Sequence, residues 1–259
     1  MKNLQIAYIQ ANLLWEDPKG NRAHFDQLLK EVPAGTDLVL LPETFNTAFP
    51  VDPKEFAETE DGVTMQWMRQ KAQELNAVVC GTFLLETGGG HYHNSLVWMR
   101  PDESYELYHK RHTFSMGGEN QLVECGSQSL IVELKGWRIK PMVCYDIRFP
   151  LWARNHYENG EYEYDLGIYL ANFPASRMNV WDTLLQARAI ENQAYFIGVN
   201  RVGDDPQEVH YSGHSQVISP KGKVQSMANV DTEAVISWIL DYEKLQNFRE
   251  KFPMGKDWD

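Results

Sequence analysis

"KPMVCYDIRFP", residues 140–150, is the stretch on which the reading of this chain turns. A short apolar run closes on Cys144, and Tyr145, Asp146, Arg148 and Pro150 follow at once. An apolar run of this length, stopped sharply by polar residues, predicts a buried strand. Its last side chain then sits at the rim of a sheet, where ligand sites of α/β folds collect. The thiol is either a small apolar filler or a nucleophile presented at a strand tip. The second role needs a base or positive charge nearby, because the thiolate is the reactive form. Backbone N–H groups in the turn after Cys144 are suited to stabilising an oxyanion.

Two other strand ends carry residues of that kind. In "LVLLPETF" a fully apolar run ends in Pro42, Glu43 and Thr44. Burial beside such a run favours the protonated carboxyl and so brings Glu43 toward the range of a general base. In "ELYHKRHTF" Lys110 follows another apolar run, flanked by two histidines, where its charge would hold a developing oxyanion and lower the thiol pKa. Each residue taken alone reads as well or better as a solvated turn residue; their joint appearance beside Cys144 favours chemistry. The other cysteines differ. Cys80 in "AVVCGTF" reads as strand filler and Cys125 in "VECGSQ" as a loop residue.

Around these tips the chain alternates short apolar runs with turns. "LQIAYIQ", "DLVLLPE", "AVVCGTFL", "HNSLVWM", "DLGIYLANFP", "AYFIGVN", "HSQVISP" and "AVISWIL" predict strands. "NRAHFDQLLKEV", "VTMQWMRQKAQELN" and "VWDTLLQARAIENQ" predict amphipathic helices, the second with Met65, Met68, Ala72 and Leu75 on one face. "ETGGGH" at 86–91 reads as a hairpin turn. Helices alternate with strands in places, while 78–110 and 194–240 read as consecutive strands. A mixed sheet, or two sheets covered by helices, fits better than a parallel barrel. No linker or repeat divides residues 1–259, so one domain is expected.

The net charge of −12 argues against nucleic acid as a partner. No apolar run approaches the length of a membrane span. The N-terminal "MKNLQIAYIQAN" is broken by Gln5 and Gln10 and reads as a first strand, not a signal peptide. Three cysteines without a scaffold spacing point to a reducing, cytoplasmic compartment.

The order "LLPETF", "YHKRHTF", "VCYDIRFP" resembles the nitrilase (carbon–nitrogen hydrolase) superfamily, and within it the omega-amidase branch. "IAYIQAN", "YLANFPASR", "WDTLLQARAIENQAYFIGVNRVG", "GHSQVISPKGKV" and "FREKFP" extend the resemblance over essentially the whole chain. It implies a four-layer α-β-β-α sandwich, with Glu43 as general base, Lys110 as oxyanion stabiliser and Cys144 as nucleophile. Glu119 in "GGENQLVECGS" matches a second glutamate that steadies the lysine. This chain has Cys125–Gly126 where members often carry Pro–Gly, so a local difference in that turn is expected. The resemblance further implies hydrolysis of the terminal amide of small dicarboxylic monoamides such as 2-oxoglutaramate and succinamate. No cofactor or metal is needed for that chemistry. A homodimer through the helical layers is also implied, with "NFREKFPMGKDWD" suited to a crossing arm.

The far carboxylate of such a substrate needs a cationic clamp, for which Arg148 and Arg177 are candidates. Arg148 could instead pair with Asp146. Tyr145 is a candidate lining residue, and Phe173 and Trp181 a candidate apolar wall. The residue after the cysteine is tyrosine, whereas true nitrilases carry tryptophan there. An N-carbamoyl amine or another small amide remains the alternative substrate. Other classes are weaker. A cysteine–histidine pair could recruit His109, His112, His210 or His214, but no protease-like sequence surrounds Cys144. His91 and His93 share a strand face without a third metal ligand at a recognisable spacing. A binding or redox-sensing thiol leaves Glu43 and Lys110 unexplained.

Overall fold

The computed structural model describes residues 3–49 and 51–258. The chain begins with β1 (Leu4–Gln10), α1 (Pro18–Leu28), β2 (Leu38–Leu40), α2 (Pro53–Phe56) and α3 (Val63–Leu75). An antiparallel run of β3 (Val78–Glu86), β4 (Tyr92–Met99) and β5 (Tyr105–His109) follows, then the short α4 (Glu119–Leu122). The second half opens with β6 (Val132–Leu134), β7 (Trp137–Val143), α5 (Pro150–Ala153), β8 (Tyr157–Glu158) and β9 (Glu161–Tyr162). It continues with β10 (Leu166–Ala171), α6 (Met178–Asn192), β11 (Tyr195–Asn200), β12 (Val202–Asp204) and β13 (His210–Ser212). The last elements are β14 (Gln216–Ile218), β15 (Val224–Met227), β16 (Ala234–Leu240) and α7 (Tyr242–Lys251).

Two six-stranded sheets result, ordered β16-β1-β2-β3-β4-β5 and β15-β14-β11-β10-β7-β6. Each has a parallel centre, β1-β2-β3 in one and β7-β10-β11 in the other, with antiparallel edges. The alternation along β1 shows how the layers stack. Leu4, Ile6 and Tyr8 enter a core shared with Ile139, Ile168 and Val199 of the other sheet. Ala7 and Ile9 face the opposite way, into a core shared with Phe25 of α1 and Met65 and Met68 of α3. That period of two is what a strand buried on both faces requires. On the far side α6 buries Trp181, Leu185 and Ala189 against the second sheet. Gly198 of β11 leaves the room that Trp181 and Leu185 fill. The order helix, sheet, sheet, helix is the four-layer α-β-β-α sandwich.

Local signals explain where the elements stop. Asp17 caps α1 by accepting from the Gly20 N–H, with Pro18 at the first helical position. Asn76 ends α3 in the left-handed region at φ +48°. The apolar run at 38–41 is longer than the strand it forms. After Leu40 the chain leaves the sheet but keeps following β3, through Leu41 N–H to Cys80 C=O and Phe45 N–H to Thr82 C=O. Among the described residues no helix is long and apolar enough to cross a membrane.

The stretch expected to serve as an arm lies against its own chain as far as the described residues go; Asp259 is outside them. Arg249 of α7 is buried and donates to the Asp165 carboxylate and to the carbonyls of Gln193 and Tyr164. Trp258 meets Tyr162 edge-on and lies under Arg154. Removing Arg249 strands a buried carboxylate, so Arg249→Ala should cost about 3–5 kcal/mol in urea denaturation at pH 7. A loss under about 1 kcal/mol would mean that α7 is held by its apolar contacts instead.

Candidate active site

Four chain segments bring charged or nucleophilic groups to one buried point. Glu43 arrives from the segment after β2, Lys110 from the end of β5, Glu119 from the start of α4 and Cys144 from the end of β7. Glu43, Lys110 and Glu119 are each about 1% exposed, and Cys144 9%. Charged groups this deep persist only when paired and hydrogen-bonded. Lys110 Nζ donates to Glu43 Oε1 at 2.8 Å and to Glu119 Oε1 and Oε2 at 2.9 and 2.8 Å. Burial is the largest single influence on this ammonium and disfavours its charge. Glu119 and Glu43 together outweigh it and hold the Lys110 pKa well above the usual lysine range. Lys110 is a fixed cation.

The backbone fixes where that cation sits. The Lys110 N–H donates to the Asn94 carbonyl, and its own carbonyl accepts from Gly126 N–H at 2.8 Å. Gly126 packs so closely that any Cβ would run into the His109 carbonyl oxygen. Here lies the Cys125–Gly126 turn that departs from the family's usual residues. The glycine, which both share, is the residue the contact demands. Glu119 is held independently by the Phe114 N–H on Oε2.

Cys144 occupies the first position of a 3₁₀ turn spanning Cys144–Arg148, at φ +43°. A non-glycine residue there is strained and persists only where its surroundings over-determine it. Asp146 supplies that constraint. Fully buried, it accepts from the Val143 and His112 N–H groups at 3.0 Å each and from the Tyr108 hydroxyl at 2.6 Å. It also meets His112 Nδ1 at 2.7 Å. From the other side Arg188 of α6 donates to the Ile147 carbonyl. Burial and the Glu43 charge push the Cys144 thiol well above the usual cysteine range, and Lys110 only partly offsets them. The expectation that Lys110 would lower the thiol pKa is thus right for its own contribution, but burial and Glu43 win. These surroundings favour the neutral thiol, whose Sγ lies 3.9 Å from the Asn172 carbonyl.

Above this cluster opens a cavity of about 340 Å³, a size suited to a small molecule. Tyr145, Arg148, Phe173 and Arg177, the candidates for contacting substrate, all line it. Arg148 lies over the Phe173 ring at 5.8 Å and Arg177 over the Phe114 ring at 4.9 Å. Among the described residues neither guanidinium has an ion pair, since Asp146 is taken by His112 and Tyr108. Trp181 does not line the cavity. It is fully buried, donates to the His214 carbonyl and backs the Phe173 ring at 5.3 Å.

No histidine lines the cavity among the described residues. His112 is bound to Asp146, His214 to Asp182, and His210 lies between Asp204 and Asp231. His91 meets Glu124 and His93 stacks on His109, and no cluster of described residues is built to hold a metal ion. Sequence reasoning missed Asn94, Asn172, Phe49, Phe114 and the wall made by the β12–β13 hairpin. Asn172 donates its N–H to Glu43 Oε2 at 2.8 Å and its side-chain amide to the Glu43 carbonyl at 2.9 Å. Its carbonyl lies 3.9 Å from Cys144 Sγ. The signal was an asparagine directly after a fully apolar strand in "YLANFP", the pattern already noticed for Glu43.

Replacing Asp146 with alanine leaves three buried donors without an acceptor, at about 1–3 kcal/mol each. Asp146→Ala should therefore lose about 3 kcal/mol or more in urea denaturation. A loss under 1 kcal/mol would show that the turn at Cys144 is held by other contacts.

Comparison with known proteins agrees with this geometry. The carbon-nitrogen hydrolase family model matches residues 5–250. The chain is 41% identical to the omega-amidase YafV of Escherichia coli K12, over all of this chain and 98% of that protein. It is 27% identical to the 2-oxoglutaramate amidase of Bacillus subtilis, over 97% of this chain and 96% of that one. A carbon–nitrogen hydrolase superfamily protein of Xanthomonas campestris, described with an arsenic adduct in its active site, superposes with a TM-score of 0.96. That match has 40% identity and covers 100% of this chain and 98% of the other. The chain is a hydrolase of carbon–nitrogen bonds other than peptide bonds, an amidase belonging to the carbon–nitrogen hydrolase (nitrilase) family.

Proposed function

We propose that this amidase hydrolyses the terminal amide of small dicarboxylic monoamides, 2-oxoglutaramate and succinamate among them, through a thioester on Cys144. One observation carries the reading. A buried carboxylate, ammonium and thiol meet at the floor of a cavity, and two arginines free of ion pairs line that same cavity. The floor suits acyl transfer, and the arginines suit a second, distal carboxylate. Similarity to an omega-amidase and to a 2-oxoglutaramate amidase supports the same substrate class.

The resting thiol is protonated, so attack and proton removal are coupled. Glu43 takes the proton as Cys144 Sγ bonds to the amide carbon. The carbonyl oxygen becomes an oxyanion, received by Lys110 Nζ and the Tyr145 backbone N–H. Lys110 can turn one N–H toward it, because Glu119 holds the ammonium with both oxygens. As the C–N bond breaks, Glu43 returns the proton to the departing ammonia. A water molecule then gives a proton to Glu43 and attacks the thioester, releasing the acid and restoring the thiol. Glu43→Gln removes the proton carrier, so ammonia release should fall by about 10²–10⁴. Alkylation of Cys144 by iodoacetamide should persist and shift to lower pH, because one influence that raises the thiol is gone. Wild-type hydrolysis in that variant would sink the mechanism.

The substrate assignment is tested by ammonia release from 2-oxoglutaramate, succinamate, glutamine and an N-carbamoyl amino acid, with Cys144→Ala as the blank. Release from the first two alone is the expected outcome; release from the carbamoyl compound alone would move the substrate class. Arg177→Met should raise KM for succinamate by about 10- to 100-fold, as loss of a charged hydrogen bond of about 1.5–3 kcal/mol implies. KM for an uncharged amide such as butyramide should hardly change. Equal effects on both would overturn the carboxylate clamp.

A further inference from the structure

Asn94, in the middle of the apolar strand β4, is fully buried yet polar. Its amide nitrogen lies 2.9 Å from Glu43 Oε1 and 3.1 Å from Glu119 Oε1. A side-chain amide carries two N–H hydrogens, and only this orientation avoids setting its oxygen against two carboxylates. One hydrogen therefore goes to each acid. Among the described residues the Oδ1 atom on the other side has no hydrogen-bond partner. A buried acceptor left without a partner costs free energy, so the amide orientation is held by the two acids alone.

The acceptor sites of Glu43 can then be counted. Oε1 receives Lys110 Nζ at 2.8 Å and Asn94 Nδ2 at 2.9 Å, which fills both of its lone pairs. Oε2 receives the Asn172 N–H at 2.8 Å and keeps one lone pair. The Asn172 carbonyl lies 3.9 Å from Cys144 Sγ, so Asn172 spans the carboxylate and the thiol. Glu119 gains as well. With the Phe114 N–H on Oε2 and Asn94 on Oε1, it stays hydrogen-bonded on both oxygens when Lys110 turns an N–H toward substrate.

We propose that Asn94 is a positioning residue of the reaction: it occupies Oε1 of both glutamates, so that Glu43 carries the thiol proton on Oε2 alone and Glu119 stays anchored while Lys110 serves the oxyanion. This rests on the assignment of Glu43, Lys110 and Cys144 made above. Without Asn94, Glu43 has a second open acceptor and one donor fewer holding its charged form. Its proton can then be taken in a less productive direction.

The test compares wild type with Asn94→Ala and with Asn94→Asp, which keeps the shape but removes both donors. Two readouts are followed: kcat and KM for succinamate, and the rate of Cys144 alkylation by iodoacetamide measured by mass spectrometry. The expected result for Asn94→Ala is a kcat about 10- to 100-fold lower with KM changed less than threefold. Cys144 alkylation should persist in the variant, which separates a misdirected proton carrier from a lost nucleophile. Asn94→Asp should lose at least as much kcat. Should Asn94→Ala not fold, Asn94→Asp carries the same readouts. A folded Asn94→Ala whose kcat falls less than threefold, or whose KM rises as much as its kcat falls, overturns the proposal, even if its melting temperature has fallen. The underlying assignment fails separately, by hydrolysis that survives in Cys144→Ala.

Discussion

The ammonium of Lys110, closed off from water between two carboxylates, is the constraint around which this molecule is arranged. Leaving any one of these groups alone at such depth would cost several kcal/mol, so all three must arrive together. The fold brings them from three segments: the chain end after β2, the end of β5 and the start of α4. Each is pinned by backbone hydrogen bonds before its side chain is used. Phe45 runs along β3, Lys110 is fixed to Asn94 and Gly126, and Glu119 turns back onto Phe114. The second sheet then adds the thiol, and Asn172 joins the sheets by holding both the carboxylate and the backbone of Glu43.

The strand that delivers the nucleophile adds strain to this frame. Cys144 adopts a backbone conformation that a cysteine does not choose unaided, and Asp146 and Arg188 hold the turn from opposite sides. The same four or five residues thus define the turn, stop the strand and aim the sulfur. "CYDIR" is better understood as a mechanical unit than as a nucleophile with neighbours. Pro150 then opens α5 at a position where a missing N–H costs nothing.

Much of this was legible before any coordinates. The apolar runs gave β1, β10 and β11 nearly to the residue, because both faces of those strands are buried and polarity changes abruptly at their ends. Glu43, Lys110 and Cys144 were legible for the same reason: each lies at or just beyond such a change, whereas Glu119 came only from the resemblance. Four segments meeting at one point could not be read from periodicity, which carries no information on distance between strands. The resemblance of the motifs supplied it. Asn94 escaped notice because it sits inside a strand pattern, where a polar residue reads as an outward-facing position. Trp181 was ambiguous for the opposite reason. An aromatic near a site is as well suited to support a wall as to form it, and here it stands behind Phe173. The cavity face made by Asp205, Val209 and Tyr211 belongs to a hairpin with no chemical signature.

The neutral state of Cys144 also bears on how the protein ages. Oxidants and stray electrophiles attack thiolates, and the first oxidation product forms fastest at accessible, ionised sulfur. A thiol that is buried, and whose surroundings disfavour its ionised form, offers them little. In the mechanism proposed above, the carboxylate that makes this sulfur slow to ionise also removes its proton at the moment of attack. Reactivity is thereby confined to the brief interval in which a substrate occupies the site.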